Sequence, residues 1–385
     1  MNLPIVRVRD QRLAGTVTGG PEGAFADMPL DDAAYVPSIG GADPFIAAVR
    51  GGTIYKLDPD TGAKLSSARF FPGVLSPSCV CYQGVDEKIY ASYSMELTPQ
   101  QPVSAAVLKR FLAKIDPSDL SVISLIDISK ATKVFDFGFD GPRQGAVELL
   151  PGADGVIYIV TQVMSNSLSN AIVLGRLDPA NTTQQTTAQP DVICAFTQGA
   201  IDTDTGNIWC TDESGPAVAN YVPQALSSWD EGFSTGGLAY FAKVSGFSNV
   251  SVHIPAGICY DPVRKKMWVT ARPTNAGAYN PSANMVLIPV PTNIVPDSNS
   301  NIEDPSPLAG IIDLGSTSQM LSCHYRLTAN LIYVPCMGDD SVVVVNPADS
   351  TKVVKTGFDL PWRMVFTPTK AFAIQQGSAG LKEVT

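Results

Sequence analysis

Short apolar runs alternate with clusters of turn-forming residues along the whole chain, and two units recur. In the first, a polar or glycine-containing turn leads into an aromatic run. The examples are VDEKIYASY (85–93), ADGVIYIVT (153–161), DTGNIWCTD (204–212), VRKKMWVTA (263–271), LTANLIYVP (327–335) and TPTKAFAIQ (367–375). β-Branched and aromatic residues bounded by Gly, Asn and Asp predict half-buried strands entered from tight turns. In the second, a strand ends in Asp-Pro or Asn-Pro: TIYKLDPDTG (53–62), FLAKIDPSDL (111–120), VLGRLDPANT (173–182) and VVVVNPADS (342–350). Asp or Asn before Pro predicts a type I turn, because the proline ring presets the backbone angle at the second position. The two units alternate. Together they predict a four-stranded antiparallel module whose first turn joins strands A and B and whose second joins C and D.

Seven such modules fit the chain: 33–70, 78–128, 145–190, 192–253, 256–314, 319–356 and 363–384. The last has room for only three strands. A strand within residues 3–18, either Pro4–Arg9 or Leu13–Thr18, is expected to complete it by pairing outside Leu381–Val384. The expectation is therefore an all-β chain, one seven-bladed β-propeller domain over residues 1–385. Each blade has four antiparallel strands, and the N-terminal strand closes the ring by joining the last blade, which leaves no open sheet edge. A pair of β-sandwiches or a β-helix would not explain why both chain ends look like fractions of one repeat.

The Asp-Pro turns and the turn-plus-Ile-Tyr strands resemble seven-bladed propellers of the YVTN, or surface-layer-like, repeat type. The resemblance covers nearly the whole chain, although the fourth and fifth blades are much enlarged over the short consensus. It implies a superfamily that holds lactonases, amine-dehydrogenase subunits, adhesion proteins and virion components, so it constrains architecture more than activity.

Connection lengths carry the next layer of information. The stretches Glu96–Ala106, Met164–Asn170, Glu213–Gly237 and Arg272–Asn284 are long and rich in Pro, Ser, Asn and Gly. Read as B–C connections, they crowd one face of a rigid scaffold, where recognition is usually placed. On that face Tyr221, Trp229, Phe233 and Tyr279 are candidate contact residues. The plainer alternative is that these rings pack the loops onto their own blades. Residues leading into the A strands, Arg143, Gln144, Gln319, Trp362 and Arg363, are expected at the channel mouth. There Arg beside Gln suits an anionic or polar ligand, or else the strand ends and trapped water.

Composition narrows the function classes. The chain is 45% hydrophobic and 16% charged, which excludes a disordered polymer. A net charge of −10 argues against a nucleic-acid partner, which needs a basic field. No apolar run reaches the roughly 20 residues of a membrane-spanning helix. The opening MNLPIVRVRDQRLAGTVTG has no apolar core of leader length, so synthesis in the cytoplasm is expected. Seven cysteines in mostly apolar runs read as free, buried thiols. Cys79 and Cys81 share a strand face but have no second ligand pair, so no metal is expected.

Only two histidines are present: His253, expected to close the outer strand of the fourth module, and His324, expected in the inner strand of the sixth. No phosphate loop or dinucleotide fingerprint accompanies them. Cys323 and His324 are strand neighbours and point to opposite faces. The expectation is a non-catalytic interaction or assembly module with no catalytic residues and no cofactor. Its partners would be other protein subunits or a cell-surface receptor. The favoured subclass is a phage virion component of tail, neck or capsid attachment. The alternatives are a lactonase-like hydrolase and a secreted carbohydrate- or surface-binding propeller.

Overall fold

A computed structural model describes residues 30–70, 79–96, 108–128, 146–164, 170–182, 185–188, 196–212, 217–221, 238–243, 251–275, 278–279, 284–292, 310–316, 322–377 and 380–385. The first sheet is Asp32–Val36 (β1), Phe45–Arg50 (β2), Thr53–Leu57 (β3) and Lys64–Arg69 (β4). The second is Val80–Gln83 (β5), Lys88–Glu96 (β6), Leu108–Ile115 (β7) and Val122–Asp127 (β8). Ala146–Pro151 (β9), Ile157–Met164 (β10), Asn170–Leu177 (β11) and Gln185–Ala188 (β12) make the third. The fourth comprises Phe196–Ile201 (β13), Ile208–Asp212 (β14), Ala217–Tyr221 (β15) and Leu238–Lys243 (β16).

In the fifth, Ser251–Asp261 (β17) and Lys266–Asn275 (β18) form a long hairpin extended by Ala278–Tyr279 (β19). Val286–Pro291 (β20) and Ile312–Asp313 (β21) complete that sheet. His324–Arg326 (β22), Leu331–Cys336 (β23), Ser341–Asn346 (β24) and Thr351–Thr356 (β25) form the sixth. The last sheet has three strands, Pro361–Phe366 (β26), Ala371–Gln375 (β27) and Leu381–Glu383 (β28). In every sheet the strands pair antiparallel in chain order, except that β19 pairs only with β18, which pairs next with β20.

The first strands touch one another in succession, β1 to β5, β9, β13, β17, β22 and β26, and β26 touches β1. The architecture is an all-β propeller. Burial is deepest in the inner strands and least in the outermost ones. β2 (FIAAVR) is almost wholly buried, whereas the outer strands β8 and β25 are largely exposed. Apolar layers fill the spaces between neighbouring sheets. Phe45 and Ile54 pack with Val80, Ile89 and Tyr93 between the first and second. Ile46 and Leu57 pack with Trp362, Phe372 and Ile374 between the last and the first.

The Asp-Pro and Asn-Pro turns close the C–D hairpins, as their sequence predicts. In each, the side-chain oxygen accepts from the amide two residues on: Asp58 from Asp60 at 3.0 Å, Asp116 from Ser118 at 2.9 Å, Asp178 from Ala180 at 2.8 Å and Asn346 from Ala348 at 3.0 Å. These short bonds hold the turn and satisfy donors that the strands leave free.

Six sheets carry at least four strands. The fourth strand expected for the last sheet, within residues 3–18, lies outside the described residues. Two placements are corrected. His253 belongs to β17, the first strand of the fifth sheet, where it pairs with Pro273, and not to an outer strand of the fourth. In the fourth sheet the B–C connection is only residues 213–216, because 217–221 is strand C. The long insertion, residues 222–237, therefore joins C to D. Residues 292–311 likewise join C to D in the fifth sheet. In antiparallel sheets C–D connections share a rim with the A–B turns, opposite the B–C connections. Excess length is thus found on both rims.

Candidate functional site

The channel wall is built from the first strands of the sheets, and its polar side chains bridge from sheet to sheet. Asp32 of β1 accepts from the amide of Val80 in β5 at 3.0 Å. Gln83 of β5 donates to the carbonyls of Gly152 and Val156 at 3.1 and 3.2 Å. Glu148 of β9 accepts from the amide of Gly199 in β13 at 2.8 Å, beside a bulge in the β13–β14 register. Gln198 of β13 spans three sheets. Its Oε1 accepts from Ile258 at 2.9 Å and from Cys323 at 2.8 Å, and its Nε2 donates to the Cys323 carbonyl at 3.2 Å. Ser322 donates to the Trp362 carbonyl at 2.6 Å, and Arg363 reaches Asp32 at 3.4 Å. The chain of bonds returns to where it began.

These bonds compensate a specific cost. Adjacent first strands splay apart around a ring, so some of their amides and carbonyls face no ladder partner. A buried group of this kind is expensive to leave unpaired. Side-chain carboxylates and amides reach across the gap and pair them.

Asp32, Glu148, His324 and Arg363, together with Cys81 and Met364, line a cavity of about 290 Å³ inside the channel. Burial dominates its electrostatics. The Glu148 carboxyl is pushed up to about 7, chiefly by burial and against the pull of Arg363. Asp32 is raised by burial as well, with Arg363, the Val80 amide and other hydrogen bonds opposing. His324 is pushed down to about 3 by burial and by the Arg363 charge. It is therefore a neutral imidazole at neutral pH. Among the described residues its Nε2 makes no hydrogen bond.

The residues expected at the channel mouth are placed differently. Trp362 and Arg363 lie within β26, not before it, and both are buried. Arg363 faces the cavity. Trp362 points the other way, into the apolar layer between the last and first sheets. Arg143, Gln144 and Gln319 lie outside the described residues, as do Trp229 and Phe233. Tyr221 ends β15 opposite Ile208, on the rim of the A–B turns. Tyr279 pairs with Thr274 at the far end of the β17–β18 hairpin, on the B–C rim. Trp229 and Phe233 fall in the C–D connection. Tyr221 and Tyr279 are therefore on opposite rims. Asp32, Glu148 and Gln198 escaped the sequence reading because lone polar residues in apolar runs carry no motif.

The other rim-side feature is a groove of about 490 Å³ across the A–B turns of the second, third and fourth sheets, lined by Tyr82, Val85, Pro151, Ala153, Tyr158 and Ile201 among others. The three most exposed large apolar side chains among the described residues are Leu327 (64%), Val85 (63%) and Val263 (59%). All three sit at the tips of A–B turns.

No family model matches the chain, and no curated protein does. Solved structures share its fold. The β-propeller domain of Cps50 (Swd1) from Myceliophteria thermophila aligns with a TM-score of 0.56 at 10% identity, over 94% of this chain and 99% of that one. Hydrazine synthase from Kuenenia stuttgartiensis aligns with a TM-score of 0.58 at 11% identity, over 96% and 99%. Both show the propeller fold, and at this identity the fold alone.

Proposed function

We propose that the protein is a non-catalytic interaction module that binds a protein partner through the rim of its A–B turns. The observation that carries this reading is the position of its most exposed apolar side chains. Val85, Val263 and Leu327 project from turn tips on one rim, and the apolar groove opens on that rim beside Val85. Isolated exposed aliphatics are ordinary, but the three most exposed among the described residues share one rim, and Val85 borders an apolar groove there, which gives that rim the form of a contact surface.

In the channel the carboxylates and amides are engaged in bonds between sheets. The His324 imidazole, whose Nε2 makes no hydrogen bond among the described residues, is the group the hydrolase alternative would use as a general base, and His324→Gln tests it. The finer architecture belongs to the proposal too: seven blades, the last completed by residues 3–18, supported by the succession of seven first strands. The Asp-Pro turn chemistry supports the YVTN-type repeat. The virion subclass rests on composition alone.

The test sets two variant panels against one another in the purified full-length chain. Val85→Asp and Leu327→Asp should abolish co-purification of a protein partner from the native source while leaving the melting temperature unchanged. Glu148→Gln and His324→Gln should leave that binding intact. Hydrolysis of lactone or ester substrates by the wild type, lost in Glu148→Gln and His324→Gln, would overturn the proposal in favour of the hydrolase.

A further inference from the structure

Six of the cysteines lie in the described residues, all of them buried free thiols. Two face each other across a sheet boundary. The Sγ atoms of Cys259 in β17 and Cys323, just before β22, are 3.2 Å apart. The backbone arranges this approach. A Cβ at Gly257 would stand 2.5 Å from the Ser322 carbonyl carbon and 2.6 Å from the Cys323 nitrogen. Only glycine lets β17 come so close to the strand beside it. The Gln198 amide then fixes both strands by binding the amides of Ile258 and Cys323. Cys259 follows the held Ile258 directly, and Cys323 is itself held through both its amide and its carbonyl.

We propose that Cys259 and Cys323 are a pre-positioned disulfide site that covalently joins the fifth and sixth sheets under oxidising conditions. A disulfide places its sulfurs about 2.05 Å apart, so the pair must close by roughly 1.2 Å. Hydrogen peroxide is small enough to reach such a site. One thiol, on losing its proton, attacks a peroxide oxygen, the O–O bond breaks, and the sulfur becomes a sulfenic acid as water is released. The second thiol attacks that sulfur, the S–O bond breaks, and a second water leaves with the remaining proton. Two thiols lose two electrons, and one peroxide gains them. Burial raises the Cys259 thiol well above its usual range, so the reaction is slow. The site acts as a staple and not as a fast sensor.

The bond would close a loop across 64 positions. Loops of that length gain from cross-linking, because the unfolded chain loses freedom. The experiment treats the folded full-length protein with hydrogen peroxide, quenches with an alkylating reagent in denaturant, and maps peptides by mass spectrometry. The expected result is one linked pair joining the peptides of Cys259 and Cys323, two hydrogens lighter than the sum of the free peptides. The melting temperature should rise by several degrees and fall back on reduction. Cys323→Ser should lose both the link and the rise, and Cys81→Ser should keep both. Recovery of Cys259 and Cys323 as alkylated or over-oxidised residues, or cross-linking spread evenly over other cysteines, would overturn the proposal. A linked pair that leaves the melting temperature unchanged would equally remove its role as a staple.

Discussion

Arg363 and Asp32 are 331 positions apart in the sequence, yet the guanidinium Nη1 stands 3.4 Å from the carboxylate inside the channel wall. Both side chains are buried. The contact joins the first strand of the last sheet to the first strand of the first. The same carboxylate also accepts from Val80 in the next sheet, so one acidic side chain ties three consecutive sheets together. Chain ends that meet only through packing can part. This pair resists that separation electrostatically where the ring is weakest.

Breaking such a pair by removing one partner strands a buried charge, which costs about 3–5 kcal/mol. Arg363→Met and Asp32→Asn should each lower the unfolding free energy by that order. The double variant should cost less than the sum of the two. Urea unfolding of the four proteins gives the coupling. Strict additivity would show that the two residues act independently.

Gln198 should behave as a backbone fastener. Gln198→Leu keeps much of the volume but leaves the Ile258 and Cys323 amides without their partner. Each buried orphan costs about 1–3 kcal/mol. Thermal unfolding should register the combined loss, and hydrogen exchange at Ile258 and Cys323 should accelerate more than exchange in β2. Equal acceleration throughout would indicate a general loss of stability and not a local one.

Glu148 and His324 should tilt the pH profile of stability in opposite senses. Glu148 titrates at about 7 in the fold against an ordinary 4.5. The fold therefore holds a proton that the unfolded chain releases. Its contribution is complete below pH 4.5 and is lost as pH rises through 7, on the order of 3 kcal/mol in all. His324 is held at about 3 against 6.5. Its contribution is complete above pH 6.5 and is lost as pH falls through 3. Glu148→Gln should accordingly gain stability relative to wild type between pH 5 and 8, and His324→Gln should gain it between pH 6 and 3.5. Chemical denaturation across that range decides both, and parallel profiles would refute the assignment.

Gly257→Ala should be among the most damaging single changes in the chain. Its new methyl would meet the backbone of Ser322 and Cys323 at 2.5 and 2.6 Å, and no side-chain rotation relieves a backbone clash. A loss above about 3 kcal/mol, or failure to fold, is expected. Gly206→Ala is the matched control. Gly206 has φ +77° with open space around it, so only the strain of the left-handed backbone remains, about 1–2 kcal/mol. Melting temperatures of the two variants should differ clearly.

The sequence by itself determined the strands and the turns that join them. Alternation of apolar and polar residues fixes which positions face a neighbouring sheet. Asp or Asn before Pro fixes where a C–D hairpin closes, because both signals act over a few residues and need no distant partner. The propeller architecture was legible for that reason. Connections were less so: the strand at 217–221 is short and unpunctuated, so the sequence reads 213–237 as one B–C loop, whereas strand pairing leaves only 213–216 between B and C. Only the tertiary structure decided the chemistry of the channel. Asp32, Glu148 and Gln198 each look ordinary beside their neighbours in sequence, and Arg363, expected at the channel mouth, gave no sign of its partner. What sets them apart is that ring closure brings their strands side by side, leaves backbone groups unpaired in a buried wall, and makes those four side chains the ones within reach.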